Sequence, residues 1–372
     1  MAVAMLCDDR SSSFYPERTM AFAFKTDQKI ALLSFMERRG MKESAIDLLG
    51  IAKKKADKKR GAVTQNQSAP YEQILDDIEK AISNEWITAD DFLSLLDTSE
   101  VAGRQHICVF TIDSKFAKSV LQQLSKPDHL SDALPELEDF WTVPTAPRAI
   151  IVSSSSSHIL LKLVGQRRVW RREVDMDRSS EDEEWIHKWV VPVRAATVVK
   201  YSTASGLLQI RIPVRDESSQ SETGKSVFEF VQYAMRKHYD IDDKKSWFQK
   251  LELFSITDSY SKVLDNFDDF VLRYDSPESD TAKSKLSKKG AIAELKDLRK
   301  DKMWTFKQTG DYSRQALRGV WLIDERIIFA HFNLDNGKRA DGSTMNYARV
   351  FIPRQAKDAE IDHVLKRIVD HF

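Results

Sequence analysis

The hydrophobic periodicity of this chain changes near residue 146, and that change limits the folds that it can adopt. Between about residues 26 and 100, apolar residues recur at helical spacing, for example at Ile74, Ile78 and Ile82. Beyond residue 146, the apolar residues are mainly β-branched or aromatic and stand in short runs bounded by turn-forming residues. Helices that precede a strand-rich region predict an α+β protein, in which helices cover the faces of an antiparallel sheet.

We predict a mainly helical N-terminal domain with one short strand at residues 21–146, followed by two units that each combine a sheet and a helix. The boundary follows from segment 127–147, which contains four prolines and little periodicity. The two units are placed at 147–242 and 243–372. Residues 1–20 are interpreted as a disordered or non-native start, since Met5 and Met20 could also begin the chain.

Two local patterns predict where helices begin or pack. Thr88 followed by Asp90 and Asp91 predicts a helix N-cap with an acidic first turn. The last segment predicts a helix that packs against strands at 327–333 and 347–352, because its apolar residues form one stripe. The stripe consists of Ile361, Val364, Leu365, Ile368, Val369 and Phe372.

The two sheet-and-helix units repeat one order of elements, which suggests an internal duplication. Residues 197–206 align with 328–337 without a gap, and in both segments an apolar strand precedes a glycine suited to a hairpin turn. Each second strand then ends in Ile-Pro and leads to an amphipathic helix, at 226–239 in the first unit. The alternative is that any two units of a hairpin and a helix share this pattern.

Composition excludes several functional classes. The 57 basic and 57 acidic residues balance, so no overall field attracts the protein to nucleic acid. The longest apolar runs are too short to span a bilayer, and the first residues lack the basic segment of a signal peptide. Cys7 and Cys108 form neither a disulfide framework nor a CxxC pair. We therefore expect a cytoplasmic protein, or a nuclear one in a eukaryote, without a membrane partner.

The common catalytic motifs are absent from the sequence. It contains no phosphate-binding GxxxxGK[ST], no GxGxxG after a strand, no HExxH and no GxSxG. The eight histidines are scattered without zinc-site spacing, and His106 is interpreted as an interior residue. The serine run at 153–157 is interpreted as a turn, with no histidine placed to activate a hydroxyl. These absences favour a non-enzymatic protein with no cofactor and no metal.

One weak candidate for a reaction centre consists of Asp275, Glu294 and Lys296. In a metal-dependent nuclease, an acidic residue on one strand and a Glu-x-Lys on the next bind a divalent ion and position the attacking water. The residues around Glu294 instead show helical periodicity, which favours a charged solvent face. A divergent nuclease remains an alternative that a Glu-x-Lys on a strand facing Asp275 would support.

Local basic patches are stronger candidates for function. Segment 166–172 predicts a strand or hairpin that carries Arg167, Arg168, Trp170, Arg171 and Arg172. Guanidinium groups beside an indole can bind phosphate and stack on bases. Further contacts to nucleic acid are expected from loop residues, namely Lys53, Lys54, Lys55, Lys58, Lys59, Arg60, Lys285, Lys288 and Lys289.

An acidic connector at 175–184 offers a competing explanation, because it could pair with the arginines or cover them until a partner displaces it. On balance the sequence predicts a binding or assembly subunit that engages nucleic acid, DNA or RNA, or a nucleic-acid-bound complex. The second hypothesis is a protein–protein adaptor or scaffold, supported by the eight tryptophans. A prokaryotic defence or mobile-element complex is one setting for such a protein.

Overall fold

The computed structural model describes six helices and twelve strands of this chain. The described residues are 22–58, 68–112, 117–125, 136–146, 148–179, 183–214, 252–253, 270–279, 282–283, 286–287, 297–300, 313–323, 326–338 and 344–369. The helices are α1 (Thr26–Arg39), α2 (Lys42–Lys58), α3 (Tyr71–Ser83), α4 (Ala89–Ala102), α5 (Ala117–Leu124) and α6 (Asp358–Val369). The strands are β1 (Gln105–Thr111), β2 (Arg148–Ser154), β3 (His158–Val174), β4 (Ile186–Ser202), β5 (Leu207–Pro213), β6 (Glu252–Leu253), β7 (Phe270–Ser279), β8 (Ala282–Lys283), β9 (Leu286–Ser287), β10 (Ser313–Ile323), β11 (Arg326–Lys338) and β12 (Thr344–Ile352).

Helices α1 to α4 pack around a core of their own, which includes Met36, Ile78 and Leu96. The predicted N-cap of α4 is confirmed. The Asp91 amide donates to the Thr88 hydroxyl at 3.0 Å, and the Thr88 amide donates to the Asp91 carboxylate at 2.8 Å. This backbone hydrogen bond lowers the pKa of Asp91, because it stabilises the ionised carboxylate at the positive end of the helix.

The strands form one antiparallel sheet with β1 at its centre. Their order is β2-β3-β4-β5-β1-β12-β11-β10-β7-β8, with β6 added beside β1 and β9 beside β7. On one side of β1, Gln105 pairs with Pro213, and on the other side it pairs with Ile352. Both Ile-Pro ends therefore lie beside the start of β1. The predicted α+β class is confirmed, and the sheet continues across residue 146 because β1 precedes that position.

The two units have the strand order that an internal duplication requires. The first contains β2, β3, β4 and β5 as an antiparallel meander, and the second contains β7, β10, β11 and β12 in the same arrangement. Gly206 adopts a φ of 64° in the β4–β5 turn, as predicted. The same prediction for Gly337 is wrong, because this residue lies within β11 opposite Met345 and the longer hairpin reverses beyond it. The helix predicted at 226–239 lies outside the described residues.

Helices cover both faces of the sheet. Alternate residues of β1 point to opposite faces, so its side chains belong to two different cores. Cys108 and Phe110 share a core with Val120 and Leu124 of α5. Ile107 and Val109 lie on the other face, in the core that α6 covers. The predicted packing of α6 is confirmed for the part of the stripe that the structure describes, since Ile361, Val364 and Leu365 are buried with Phe332, Val350 and Ile352. Ile368, Val369 and Phe372 have no described side chains.

A partly buried ionic cluster joins α6 of the second unit to strands of the first. The guanidinium of Arg211 on β5 is fully buried and lies 2.7 Å from Asp358. Lys200 on β4 lies 2.6 Å from Asp358, and Gln209 donates to Asp362 at 3.1 Å. Burial raises the pKa of Asp358, but attraction by Arg211 and Lys200 outweighs it and the net pKa is lowered. These contacts hold the two halves of the sheet together beneath α6.

Candidate functional site

The hairpin of β3 and β4 extends beyond the rest of the sheet. Its residues pair without a bulge from His158 opposite Ser202 to Val174 opposite Ile186. The pairing of β2 with β3 ends at Val164, and the pairing of β5 with β4 ends at Val198. No other described strand pairs beyond these points, so we call residues 165–195 the arm. Its ten residue pairs correspond to a ribbon about 30 Å long.

A buried ionic cluster under α4 fixes the base of the arm. The Glu100 carboxylate accepts from Arg194 Nε at 2.8 Å and from Arg194 Nη2 at 3.1 Å. Its second oxygen lies 2.9 Å from the ammonium of Lys162, which also donates to Asp97. Since Lys162 belongs to β3 and Arg194 to β4, one buried carboxylate holds both strands of the arm at the point where they leave the sheet.

Electrostatic attraction keeps this cluster ionised. Burial raises the pKa of Glu100, but Lys162 and Arg194 outweigh that effect and lower its pKa to about 2. Burial lowers the pKa of Arg39 to about 10, with smaller contributions from neighbouring cations that include Arg167. Arg167 is half-buried near this cluster, so it belongs to the base of the arm rather than to its exposed surface.

Charge is divided sharply along the arm. Residues 166–172 and 188–193, which we call the stem, contain five basic and no acidic residues. Residues 173–187, which we call the tip, contain seven acidic residues and one basic residue. Arg168 and Lys188 of the stem are exposed, and the register places Arg172 opposite Lys188 and Trp170 opposite Val190. A ribbon with this charge distribution presents one end to anionic partners and the other end to cationic partners.

The arm also exposes apolar side chains to an unusual degree. Five of the ten large apolar side chains exposed among the described residues lie on it, although it contains only about an eighth of those residues. Met176 is 80% exposed and Trp185 is 52% exposed, and the other three are Val174, Ile186 and Val190. Apolar groups concentrated in this way mark an interaction surface.

The acidic connector lies at the far end of the arm. Its first residue, Asp175, accepts a hydrogen bond from the Ser179 amide at 2.9 Å and pairs with Arg178 at 3.6 Å, both within the tip. Arg168 lies six residue pairs from Val174, a distance of about 20 Å along a fully paired ribbon. Because such a ribbon cannot fold back on itself, the described residues of the connector, 175–179 and 183–184, lie away from the inner stem of their own arm.

The other predicted basic residues are not brought to the arm by any described contact. Lys53, Lys54 and Lys55 are exposed on α2, so the prediction that they lie on a loop is wrong. Ala52 and Ala56 are buried on the opposite side of that helix, which turns these lysines toward solvent. Lys58 ends α2, its side chain not described, and Lys59, Arg60, Lys285, Lys288 and Lys289 lie outside the described residues.

The weak nuclease candidate gains no support from the geometry. Asp275 lies in β7 opposite Leu317 of β10, while Glu294 and Lys296 fall outside the described residues. In the ranges that the structure describes, no group of three or more His, Cys, Asp or Glu side chains could hold a metal ion. Over the same ranges no helix is long and apolar enough to span a bilayer.

The prediction that the serine run has no histidine partner is wrong. The Ser155 hydroxyl lies 2.7 Å from His158 Nδ1, and the Ser153 hydroxyl lies 3.4 Å from His158 Nε2. Ser155 Oγ also accepts from the His158 backbone amide at 3.2 Å. Both ring nitrogens therefore face hydroxyls and neither faces an orienting carboxylate, so the contacts close the β2–β3 turn.

A cavity of about 560 Å³ lies where α1, α2 and α3 meet the connection from β12 to α6. Its basic lining residues are Lys42, Arg104 and Arg354, and its acidic ones are Glu37, Glu43 and Asp47. Arg354 already pairs with Glu43 at 2.9 Å. Because the lining charges balance, the cavity favours no class of charged ligand, and the arm remains the better candidate.

His106 is buried, as predicted, and stacks on Phe351 with ring centroids 4.8 Å apart. His331 lies on the same face, where burial lowers its pKa from 6.5 to about 4, assisted by Arg318 and His106. Between about pH 4 and pH 6.5, His331 is therefore neutral in the folded protein, whereas it takes up a proton in the unfolded chain.

We therefore expect the contribution of His331 to the free energy of unfolding to be fully present above about pH 6.5. It should fall by about 2 to 3 kcal/mol as the pH drops toward 4. The His331→Gln variant should lose this part of the pH dependence, as measured by urea unfolding at several pH values. Identical pH profiles for the two proteins would contradict the assignment to His331.

No protein-family model matches this chain, and no curated protein matches its sequence.

Proposed function

We propose that this protein is a non-enzymatic binding subunit that engages nucleic acid through the stem of its arm. The observation that carries the proposal is the stem itself, a projecting ribbon with five basic and no acidic residues in a chain of zero net charge. Since the whole molecule has no attractive field, affinity for phosphate must come from such a local concentration of charge. Arg168 and Lys188 supply part of it from exposed positions.

The dimensions of the arm suit a nucleic-acid groove. Two paired strands lie about 4.8 Å apart, and the major groove of duplex DNA, about 12 Å wide, accepts a two-stranded ribbon. Arginine binds phosphate through its planar fork, and tryptophan can stack on an unpaired base. The acidic tip repels phosphate, so we expect the contact to be limited to the stem and to the base of the arm.

The proposal is tested by replacing Arg168, Arg171 and Arg172 together with alanine. Arg167 is left in place because it is half-buried beside Arg39. Log affinity falls as log salt rises, and for each phosphate that the variant no longer neutralises this slope should become shallower by about 0.9 on duplex DNA and by about 0.7 on single strands. Fluorescence anisotropy with labelled duplex DNA and single-stranded RNA, between about 50 and 200 mM salt, measures both the affinity and the slope.

The chain provides a matched control for this experiment. Replacing Lys53, Lys54 and Lys55 with alanine removes the same number of positive charges from the exposed side of α2. We expect the α2 variant to bind almost as well as the unaltered protein. Equal losses in the two variants would show a non-specific charge effect, and an unchanged slope in the arm variant would overturn the proposal.

The exposed apolar side chains favour a second candidate, an adaptor or scaffold role. Trp185 and Met176 at the tip have no function in binding phosphate, whereas aromatic residues and methionine are enriched in protein interfaces. If this is the only role of the arm, adding the protein should not change the anisotropy of the labelled DNA or RNA at any salt concentration.

A further inference from the structure

We infer that two copies of this chain associate through their arms in antiparallel orientation, with the stem of each arm against the tip of the other. This inference goes beyond the proposed function and does not depend on it. It rests on the charge distribution of the arm, on the apolar groups that the arm exposes and on the fully paired geometry of the ribbon.

The arm is complementary in charge to a second copy of itself. In the antiparallel arrangement, the four basic stem residues beyond Arg167 meet a tip with seven acidic residues and one basic residue. A two-fold axis near the middle of the arms repeats this contact, because in a two-fold dimer residue i meets j while j meets i. A parallel arrangement would place like charges together, so electrostatics selects the antiparallel one.

The exposed apolar side chains add a hydrophobic contribution to the attraction between the charges of the two arms. Val174, Trp185 and Ile186 lie at or beside the end of the ribbon, and Val190 lies on the stem. Overlapping antiparallel arms bring the apolar tip of one copy to the stem of the other, which removes these groups from water. Nucleic acid bound to the stem would leave the apolar groups of the tip exposed. A protein partner would cover both the charged and the apolar groups of the arm.

The paired geometry requires this contact to form between molecules. The inner stem at Arg168 lies about 20 Å from the end of the ribbon, and no bulge interrupts the pairing between them. The base is held by Glu100 through Lys162 and Arg194, so the arm projects in a fixed direction. The described residues of the tip can therefore reach an inner stem only on another copy.

The size of the arm predicts a weak dimer. A ribbon about 30 Å long and about 10 Å wide offers about 300 Å² on one face, or about 600 Å² for both partners. Stable interfaces bury about 1,200 to 2,000 Å² in total. We therefore expect a dimer that dissociates on dilution and, because its charges are exposed, weakens as salt rises.

Sedimentation velocity of the full chain over a concentration series, at low and at high salt, tests the inference. One variant reverses four stem charges (Arg168→Glu, Arg171→Glu, Arg172→Glu, Lys188→Glu), and a second reverses four tip charges (Glu173→Lys, Asp177→Lys, Glu181→Lys, Glu184→Lys). Each variant alone should sediment as a monomer, because its arm then carries one predominant sign. A third variant with all eight changes should dimerise again, since its stem carries four acidic residues and one basic residue and its tip carries five basic and three acidic residues. Thermal melts establish that each variant is folded.

A wild-type chain that stays monomeric at high concentration and low salt would overturn the inference. A dimer that survives either set of reversals would do the same, as would failure of the combined variant to dimerise. The tip-reversed variant separates this inference from the proposed function, because it should lose the dimer while keeping or increasing its affinity for nucleic acid. A monomeric wild type whose stem variant loses nucleic-acid affinity would leave the proposed function standing alone.

Discussion

Replacing Glu100 with alanine is expected to lower the free energy of unfolding by about 3 to 5 kcal/mol, the usual cost of removing one partner of a buried ion pair. The Glu100 side chain is fully buried, and its loss leaves the buried cations of Lys162 and Arg194 without their shared carboxylate. Asp97 can compensate in part, because it also contacts Lys162. Urea unfolding of the purified variant, followed by circular dichroism, measures the change.

A matched control comes from an ion pair at the surface. Glu43 pairs with Arg354 at a similar distance, but both side chains are exposed, so Glu43→Ala should cost less than about 1 kcal/mol. The Glu100→Gln variant keeps the shape of the side chain while removing its charge, and it should also destabilise the protein clearly. If Glu100→Ala costs no more than Glu43→Ala, the cluster does not hold the arm as described.

Replacing Leu365 with alanine should lower stability by about 2 to 5 kcal/mol, because it removes a buried leucine side chain and leaves a cavity. Leu365 is 2% exposed and lies in the core that α6 shares with the sheet. Domain stabilities are about 5 to 15 kcal/mol in total, so the melting temperature should fall visibly. A thermal melt of the full chain measures the effect.

Leu322 offers the corresponding control, since the same residue type is 40% exposed on β10. Leu322→Ala should change stability by less than about 1 kcal/mol. Equal melting temperatures for the Leu365 variant and the unaltered protein would mean that the α6 stripe is a free face that awaits a partner protein.

The features predicted well from the sequence are those that short segments determine. The N-cap at Thr88 depends on hydrogen bonds within one helical turn, and the α6 stripe depends on the spacing of residues along one helix. The central position of β1 could not be predicted, because its partners lie far along the chain. The need for glycine at position 319 of β10 could not be predicted either, since a side chain there would collide with the ring of Phe270 on the neighbouring strand β7.

The candidate site was predicted only in part. The arginines of segment 166–172 and the acidic connector are visible in the sequence, but an arm exists only because the pairing of β2 and β5 stops at Val164 and Val198. Glu100 was missed, because one acidic residue on an amphipathic helix is ordinary. Lys162 did leave a signal, since it interrupts the apolar strand Ile-Leu-Leu-Lys-Leu-Val, where a charge requires a partner.

The central position of β1 also determines when the fold can be completed during synthesis. β1 leaves the ribosome ahead of both neighbours, because β5 begins at Leu207 and β12 begins at Thr344. Until they follow, the apolar side chains of Ile107, Val109 and Phe110 have no neighbouring strand on either side. Contacts so distant in sequence form slowly, and an open strand edge invites aggregation. The edge of β1 that pairs with β12 therefore stays open from Gln105 to Val109 until residue 352 has been synthesised.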